Sequence, residues 1–167
     1  MRGGAGKRFS RSFLKSCGTD SPGLPLGFFF TSAMDPVTHR HPVRVTYADT
    51  DAMGIVYHAN YLRWFEVGRT ELIRSLGIAY KEMEEQGTLL PVSEVSCKYH
   101  ASARYDDILI IETRVDFLKR ASIQFSYRIL RQSDGTQLVT GSTLHAFVDR
   151  GGKIVKVPAA LRAKLNS

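Results

Sequence analysis

Three segments in the C-terminal half of this 167-residue chain alternate apolar and polar residues with a period of two, and all three follow one proline-free helical segment. Val95, Cys97, Tyr99, Ala101 and Ala103 alternate with Glu94, Ser96, Lys98, His100 and Ser102. Ile111 to Phe117 and Ser122 to Ile129 read the same way, and Leu138 to Val148 is another long strand. Strict alternation marks strands with one buried face. A further strand comes earlier, where Val43, Val45 and Tyr47 alternate with Arg44 and Thr46. Between it and the others, Ala59 to Leu76 places Leu62, Phe65, Leu72, Ile73 and Leu76 largely on one helical face, and Gly77 supplies the stop. Gly68 inside that helix costs about 1 kcal/mol relative to alanine. Close packing against a sheet accounts for it.

A short polar helix is expected over Tyr80 to Gln86, turns at Ser133-Asp134-Gly135 and Arg150-Gly151-Gly152-Lys153, and a short amphipathic helix after Pro158. Consecutive strands joined by short turns run antiparallel. A sheet with one apolar face needs a cover, and one long helix is available. The expected architecture is therefore α+β: a curved antiparallel five-stranded sheet wrapped around one long central helix. Its exposed edges favour pairing with a second copy.

Residues 1–40 show neither period and carry six glycines and three prolines. They read as a disordered extension, or as translated upstream sequence with Met34 as the start; a transit peptide comes next and a secretory signal last. The folded domain is expected over 41–167. The net charge of +7 divides unevenly: the first 40 residues hold six Lys/Arg against two Asp, and the rest hold seventeen against fourteen acids. No Lys/Arg block suggests nucleic acid, and a mild positive excess suits an anionic small molecule. No apolar run approaches the roughly 20 residues of a membrane-spanning helix. Two cysteines, Cys17 and Cys97, favour a reducing, cytoplasmic compartment over a disulfide framework. Cys97 reads as packing, and His100 and His145 as ordinary strand residues.

The chemistry concentrates in Tyr47 to Arg69, which joins a strand to the long helix. It brings Asp49, Asp51, His58 and a helix N-terminus into one connection. The first turn of a helix has free N–H groups and a dipole that favours negative charge, so it can polarise a carbonyl and stabilise an oxyanion. A carboxylate on the preceding loop can attack that carbonyl or activate a water. Without a Ser-His-Asp set this suits a good leaving group, and a thiolate leaves far better than an amine. A calcium loop is disfavoured by Met53 at the fifth position and Asn60 in place of the closing glutamate. Aspartate-based phosphoryl transfer is disfavoured by the antiparallel strands. Asp49 reads equally as cap or functional group; Asp51 reads as functional.

Tyr-x-Asp-Thr-Asp, Gly-x-Val-Tyr-His-x-Asn-Tyr and Glu-x-x-Arg follow one another from Tyr47 to Arg69. This run resembles the signature of the hotdog-fold acyl-CoA thioesterases, the 4-hydroxybenzoyl-CoA thioesterase family. It is closest to the YbgC-type branch associated with the bacterial Tol-Pal system, and the resemblance covers roughly 41–160. It implies a hotdog fold, a homodimer often paired into a tetramer, and hydrolysis of acyl-CoA to free acid and CoA with no metal or organic cofactor. It makes Asp51 the catalytic carboxylate, as base or nucleophile. It puts His58 at the carbonyl-polarising helix start and Tyr47 facing the site. Asn60 and Glu66 would orient the loop or cross the dimer interface. Arg104, Lys119, Arg120, Lys153 and Lys156 are the candidates for CoA phosphates. An acyl carrier protein could bear the acyl group instead. A non-catalytic acyl-binding or scaffold protein, partnered with an envelope complex, is the rival of a different class.

Overall fold

A computed structural model describes residues 37–165. The readings of the N-terminal segment before residue 37, Cys17 included, lie outside the described residues. The elements are β1 (Thr38–Arg44), α1 (Asn60–Ser75), α2 (Tyr80–Glu85), β2 (Val92–Tyr99), β3 (Ile108–Leu118), β4 (Ser122–Arg131), β5 (Gln137–Ala146) and α3 (Ala159–Leu165). The five strands form one antiparallel sheet in the order β1-β3-β4-β5-β2, with α1 packed against it: the expected hotdog arrangement.

The β3–β4 and β4–β5 neighbours are hairpins, as the alternation predicts; Ile123, Phe125, Tyr127 and Ile129 are all buried. The β2–β3 connection is not a hairpin. β2 pairs with β5 at one edge, and residues 100–107 leave the sheet and cross to β3, which pairs with β1. The crossing segment explains why the alternation through Ala101 and Ala103 does not continue as strand. Ala103 is buried, but its N–H donates to the Tyr61 hydroxyl and its carbonyl accepts from Val56.

Two boundaries differ from the sequence reading. β1 begins at Thr38, three residues before His41, and ends at Arg44. Val45 is fully buried and bonds to residues 106 and 107 through both its N–H and C=O. The chain then winds into one 3-10 turn over Tyr47–Asp49, because Asp49 accepts the Thr46 amide and closes a capping box. Tyr47 is therefore not a strand residue. The helical pattern predicts Leu62 on the buried face of α1, but it is 39% exposed. The buried face runs through Tyr61, Trp64, Phe65, Gly68, Leu72 and Ile73, and Leu62 lies at its flank.

Gly68 has the predicted cause. A Cβ there would stand 2.3 Å from Thr113 Oγ1 and 2.8 Å from Ile111 Cγ2 on β3. Gly141 on β5 does the same from the sheet side, and together they let α1 lie close on the strands. Phe65 stacks on Tyr127 with ring centroids 4.3 Å apart.

Candidate active site

The connection from β1 to α1 folds back on itself as a small hairpin. The Tyr57 N–H donates to the Asp49 carbonyl, Thr50 and Val56 form an isolated bridge, and the Asp51 N–H donates to the Ile55 carbonyl, the two hydrogen bonds each 2.9 Å. The tip turns through Gly54, whose φ of +69° is the left-handed region that favours glycine. Its N–H donates back to the Asp51 carbonyl (2.9 Å).

The two carboxylates of Asp-Thr-Asp do different work. Asp49 is buried and accepts the Thr46 N–H (2.8 Å), the Thr46 hydroxyl (2.7 Å) and Arg63 Nη2 (2.5 Å). Burial raises its pKa, but the Thr46 hydrogen bonds and the Arg63 cation outweigh burial and hold it below the ordinary aspartate value. Its carbonyl also accepts Asn60 Nδ2 (2.9 Å), so one residue clasps the loop to the first turns of α1. In this structure Asp49 serves as cap and clasp, and Asn60 ties the loop to α1. Arg63 was not singled out from the sequence; four residues into a helix, it reads as a solvated cation until the clasp is seen.

Asp49→Ala removes charge-assisted bonds from a buried group and is expected to lower unfolding free energy by about 2 kcal/mol at neutral pH. A carboxylate whose folded pKa is depressed stabilises above its unfolded value of about 3.9 and loses that contribution as pH falls through the folded value. The gap between parent and variant in urea denaturation is therefore expected to narrow below about pH 4.

Asp51 is half-buried at the hairpin tip, where Oδ1 accepts the Met53 N–H (2.8 Å). His58 is exposed, one residue before the Ala59 cap of α1. Among the described residues the His58 and Ala59 amides donate to no backbone acceptor, whereas the Asn60 amide closes a turn onto the Tyr57 carbonyl. The His58 carbonyl accepts the Tyr99 hydroxyl from β2 (3.1 Å), and desolvation pushes that phenol up to about 12. Tyr99 thus ties the helix start to the edge strand. The sequence placed it on the inward face of its strand but could not say what it meets there. Tyr47 is 79% exposed, edge-on to Tyr105 at 5.6 Å. No hydrogen bond or ring contact joins the Asp51, His58 and Tyr47 side chains among the described residues; what groups them is the shared loop.

Of the five basic candidates, Arg104 lies in the crossing segment that bonds to Val45 and Val56, at the loop end of the sheet. Lys119 and Arg120 lie at the β3–β4 turn, the opposite end of an 11-residue strand, roughly 36 Å away along β3. Lys156 is beside them, since Val157 N donates to the Arg120 carbonyl. Lys153 precedes it, its own N–H on Asp149. Lys119 Nζ rests 4.6 Å from the Phe117 ring centroid. Glu66 is exposed on α1, 3.9 Å from Arg69. His145 is buried with both ring nitrogens engaged, and desolvation holds it down to about 4; it is a neutral packing residue. Cys97 is half-buried, and burial raises its thiol pKa.

Known proteins share this sequence pattern and this fold. Residues 45–165 match the model of the thioesterase-like superfamily. The acyl-CoA thioesterase YbgC of Haemophilus influenzae is 41% identical over 125 residues, covering 73% of this chain and 90% of that protein. The DHNA-CoA thioesterase of Staphylococcus aureus superposes with a TM-score of 0.69 at 32% identity, over 71% of this chain and 80% of that one. A hypothetical protein of Aquifex aeolicus superposes with a TM-score of 0.72 at 32% identity, over 76% and 98%. With α1, four of the five strands and nearly all of the described length inside the matched span, this chain belongs to the thioesterase-like superfamily.

Proposed function

We propose that the protein hydrolyses an acyl-CoA thioester to free acid and CoA on the β1–α1 connection, in the cytoplasm and as a homodimer that pairs again into a tetramer. The reading rests on one observation: an acidic side chain at a hairpin tip and two uncommitted amides at a helix start belong to one loop, clasped by Asp49. The thioester oxygen accepts from the His58 and Ala59 amides, and the carbonyl carbon faces Asp51. As nucleophile, Asp51 expels CoA thiolate and forms an anhydride that water cleaves. As base, it takes a proton from water, whose oxygen adds to the carbon; the oxyanion then collapses and expels the thiolate. Both routes use the Asp51 carboxylate, whose Oδ1 accepts the Met53 N–H.

Second copies fit at β2. The strand is exposed along almost its whole length, and Val92, Val95 and Tyr99 are 53%, 53% and 46% exposed beside Leu62. An edge with apolar side chains is a template for pairing. Arg104 is the cation at the loop end and the one we assign to CoA phosphate within a protomer. Lys119, Arg120, Lys153 and Lys156 stand in no ion pair among the described residues. That cluster is the feature favouring an acyl carrier protein as a second acyl donor, because such a partner would need a basic docking face. Thiol release from short, medium, long and aromatic acyl-CoAs, with acyl carrier protein in parallel, tests the reading. Turnover of at least one acyl-CoA is expected; no release from any donor leaves a binding protein.

A further inference from the structure

The His58 carbonyl and the Ala59 N–H belong to one peptide group, at the start of α1. The carbonyl accepts the Tyr99 hydroxyl from β2 (3.1 Å). The N–H has no acceptor among the described residues. The peptide bond is conjugated, so a hydrogen bond received at its oxygen draws electron density away from its nitrogen and leaves the N–H more positive. The two ends of this peptide therefore act together: the better the donor on the carbonyl, the better the N–H serves an anion.

The surroundings of Tyr99 hold it to this bond. Its backbone pairs with Val139 on β5, which is fully buried. Its ring stands edge-on to Tyr61 at 5.6 Å and to His58 at 6.5 Å. Tyr61 is itself buried, and its hydroxyl accepts the Ala103 N–H, so that wall is fixed. The Cys97 thiol is the other polar group near the Tyr99 hydroxyl. Sulfur is a weak acceptor, so the phenol proton goes to the carbonyl. Desolvation pushes the phenol up to about 12, and it stays a donor at neutral pH. The bond needs no open surface, so a second copy covering β2 leaves it in place.

Resting on the acyl-CoA reading above, we infer that Tyr99 is a positioning residue that acts through the His58–Ala59 peptide, making the Ala59 N–H a stronger donor to the thioester oxyanion. Tyr99 touches no reacting atom. Its contribution grows as charge gathers on the thioester oxygen, because an anion on the N–H polarises the same peptide and makes the His58 carbonyl a better acceptor for the phenol. The gain is larger in the transition state than in the bound substrate, so it falls on kcat rather than KM. Its size is bounded. Losing a whole oxyanion donor costs about 10²–10³ in rate. A cooperative neighbour changes a bond by a fraction of its strength, which sets the effect of Tyr99 at about five- to tenfold.

Thiol release by the full chain tests this on Tyr99→Phe, which keeps the ring and removes the hydroxyl. The expected result is a kcat lowered about five- to tenfold, a KM within about twofold, and self-association in sedimentation equal to the parent's. Monofluorinated and difluorinated tyrosine at position 99, substituted beside the hydroxyl, separate this role from a plain tether. Each fluorine makes the phenol a better donor at nearly constant shape, and a phenol starting from about 12 remains protonated at neutral pH. kcat is expected to rise along the series while the melting temperature stays level. A Tyr99→Phe protein with parental kcat overturns the inference, as does a loss confined to KM or to self-association, and so does a flat fluorotyrosine series. Turnover indifferent to Tyr99 sinks this inference alone; no thiol release from any acyl-CoA by the parent protein sinks the thioesterase reading beneath it.

Discussion

Asp51→Asn is expected to lower kcat for acyl-CoA hydrolysis by about 10³-fold while the melting temperature stays within a few degrees of the parent. The substitution is close to isosteric. An asparagine Oδ1 still accepts the Met53 N–H that the carboxylate accepts at 2.8 Å, so the hairpin tip keeps its turn. What is lost is the negative charge, and with it both the nucleophile and the base. Binding contacts to CoA are untouched, so KM should change far less than kcat, the pattern of an interaction made in the transition state. Asp51→Ala is a poorer test, because it also removes the bond to Met53 and disturbs the loop. Thiol release under saturating acyl-CoA, with thermal denaturation beside it, decides the matter. An Asp51→Asn protein within tenfold of parental kcat would remove the residue from the reaction. The contrast with Asp49 sharpens the test: two carboxylates separated by Thr50 are expected to answer oppositely, one in stability and the other in rate.

That contrast also shows where the sequence stops being legible. Period-two alternation located β2, β3 and β4 and overlapped the end of β1, and a proline-free apolar stripe located α1, because those signals are local and repeat many times. The tight approach at Gly68 was legible for a similar reason: a glycine inside a helix is costly unless a neighbour demands it. The pairing of β2 with β5 was not legible. Alternation records which face is buried and says nothing of which strand lies alongside. For the same reason the alternation marks Tyr99 only as an inward strand residue, although its hydroxyl donates to the His58 carbonyl. Arg104 could not be set apart from Lys119 and Arg120 as the cation near the loop, since only the pairing of β1 with β3 brings Ile108 beside Arg44. In the site itself, residue types identified a carboxylate and a helix start on one loop. They could not say which aspartate Arg63 would claim, because that depends on Arg63 standing one helical turn past a cap whose position only the fold fixes.

Gly141→Ala is expected to be among the most damaging single methyl additions in the sheet, lowering unfolding free energy by about 3 kcal/mol. The added Cβ would lie 2.4 Å from the Ser96 carbonyl oxygen and 2.6 Å from Phe65 Cε2. Neither neighbour can yield cheaply. The carbonyl belongs to β2, which is held in register to β5 through Ser96–Ser142 and Cys97–Gly141. The phenyl ring is stacked on Tyr127 and fully enclosed. Relief therefore requires β2 to part from β5 or α1 to rise from the sheet, and either motion disturbs the helix start that Tyr99 tethers. Gly68→Ala should cost less, about 1 kcal/mol net, since alanine recovers roughly that much helix propensity and one obstructing atom is the tip of a rotatable threonine. Thr113→Ala removes that tip, so it should partly rescue Gly68→Ala; it should do nothing for Gly141→Ala, whose obstruction is backbone. Urea denaturation of the four variants separates these outcomes. A Gly141→Ala protein as stable as Gly68→Ala would mean that β2 is loosely held, and a loosely held β2 could not fix the helix N-terminus on which the proposed thioester site depends.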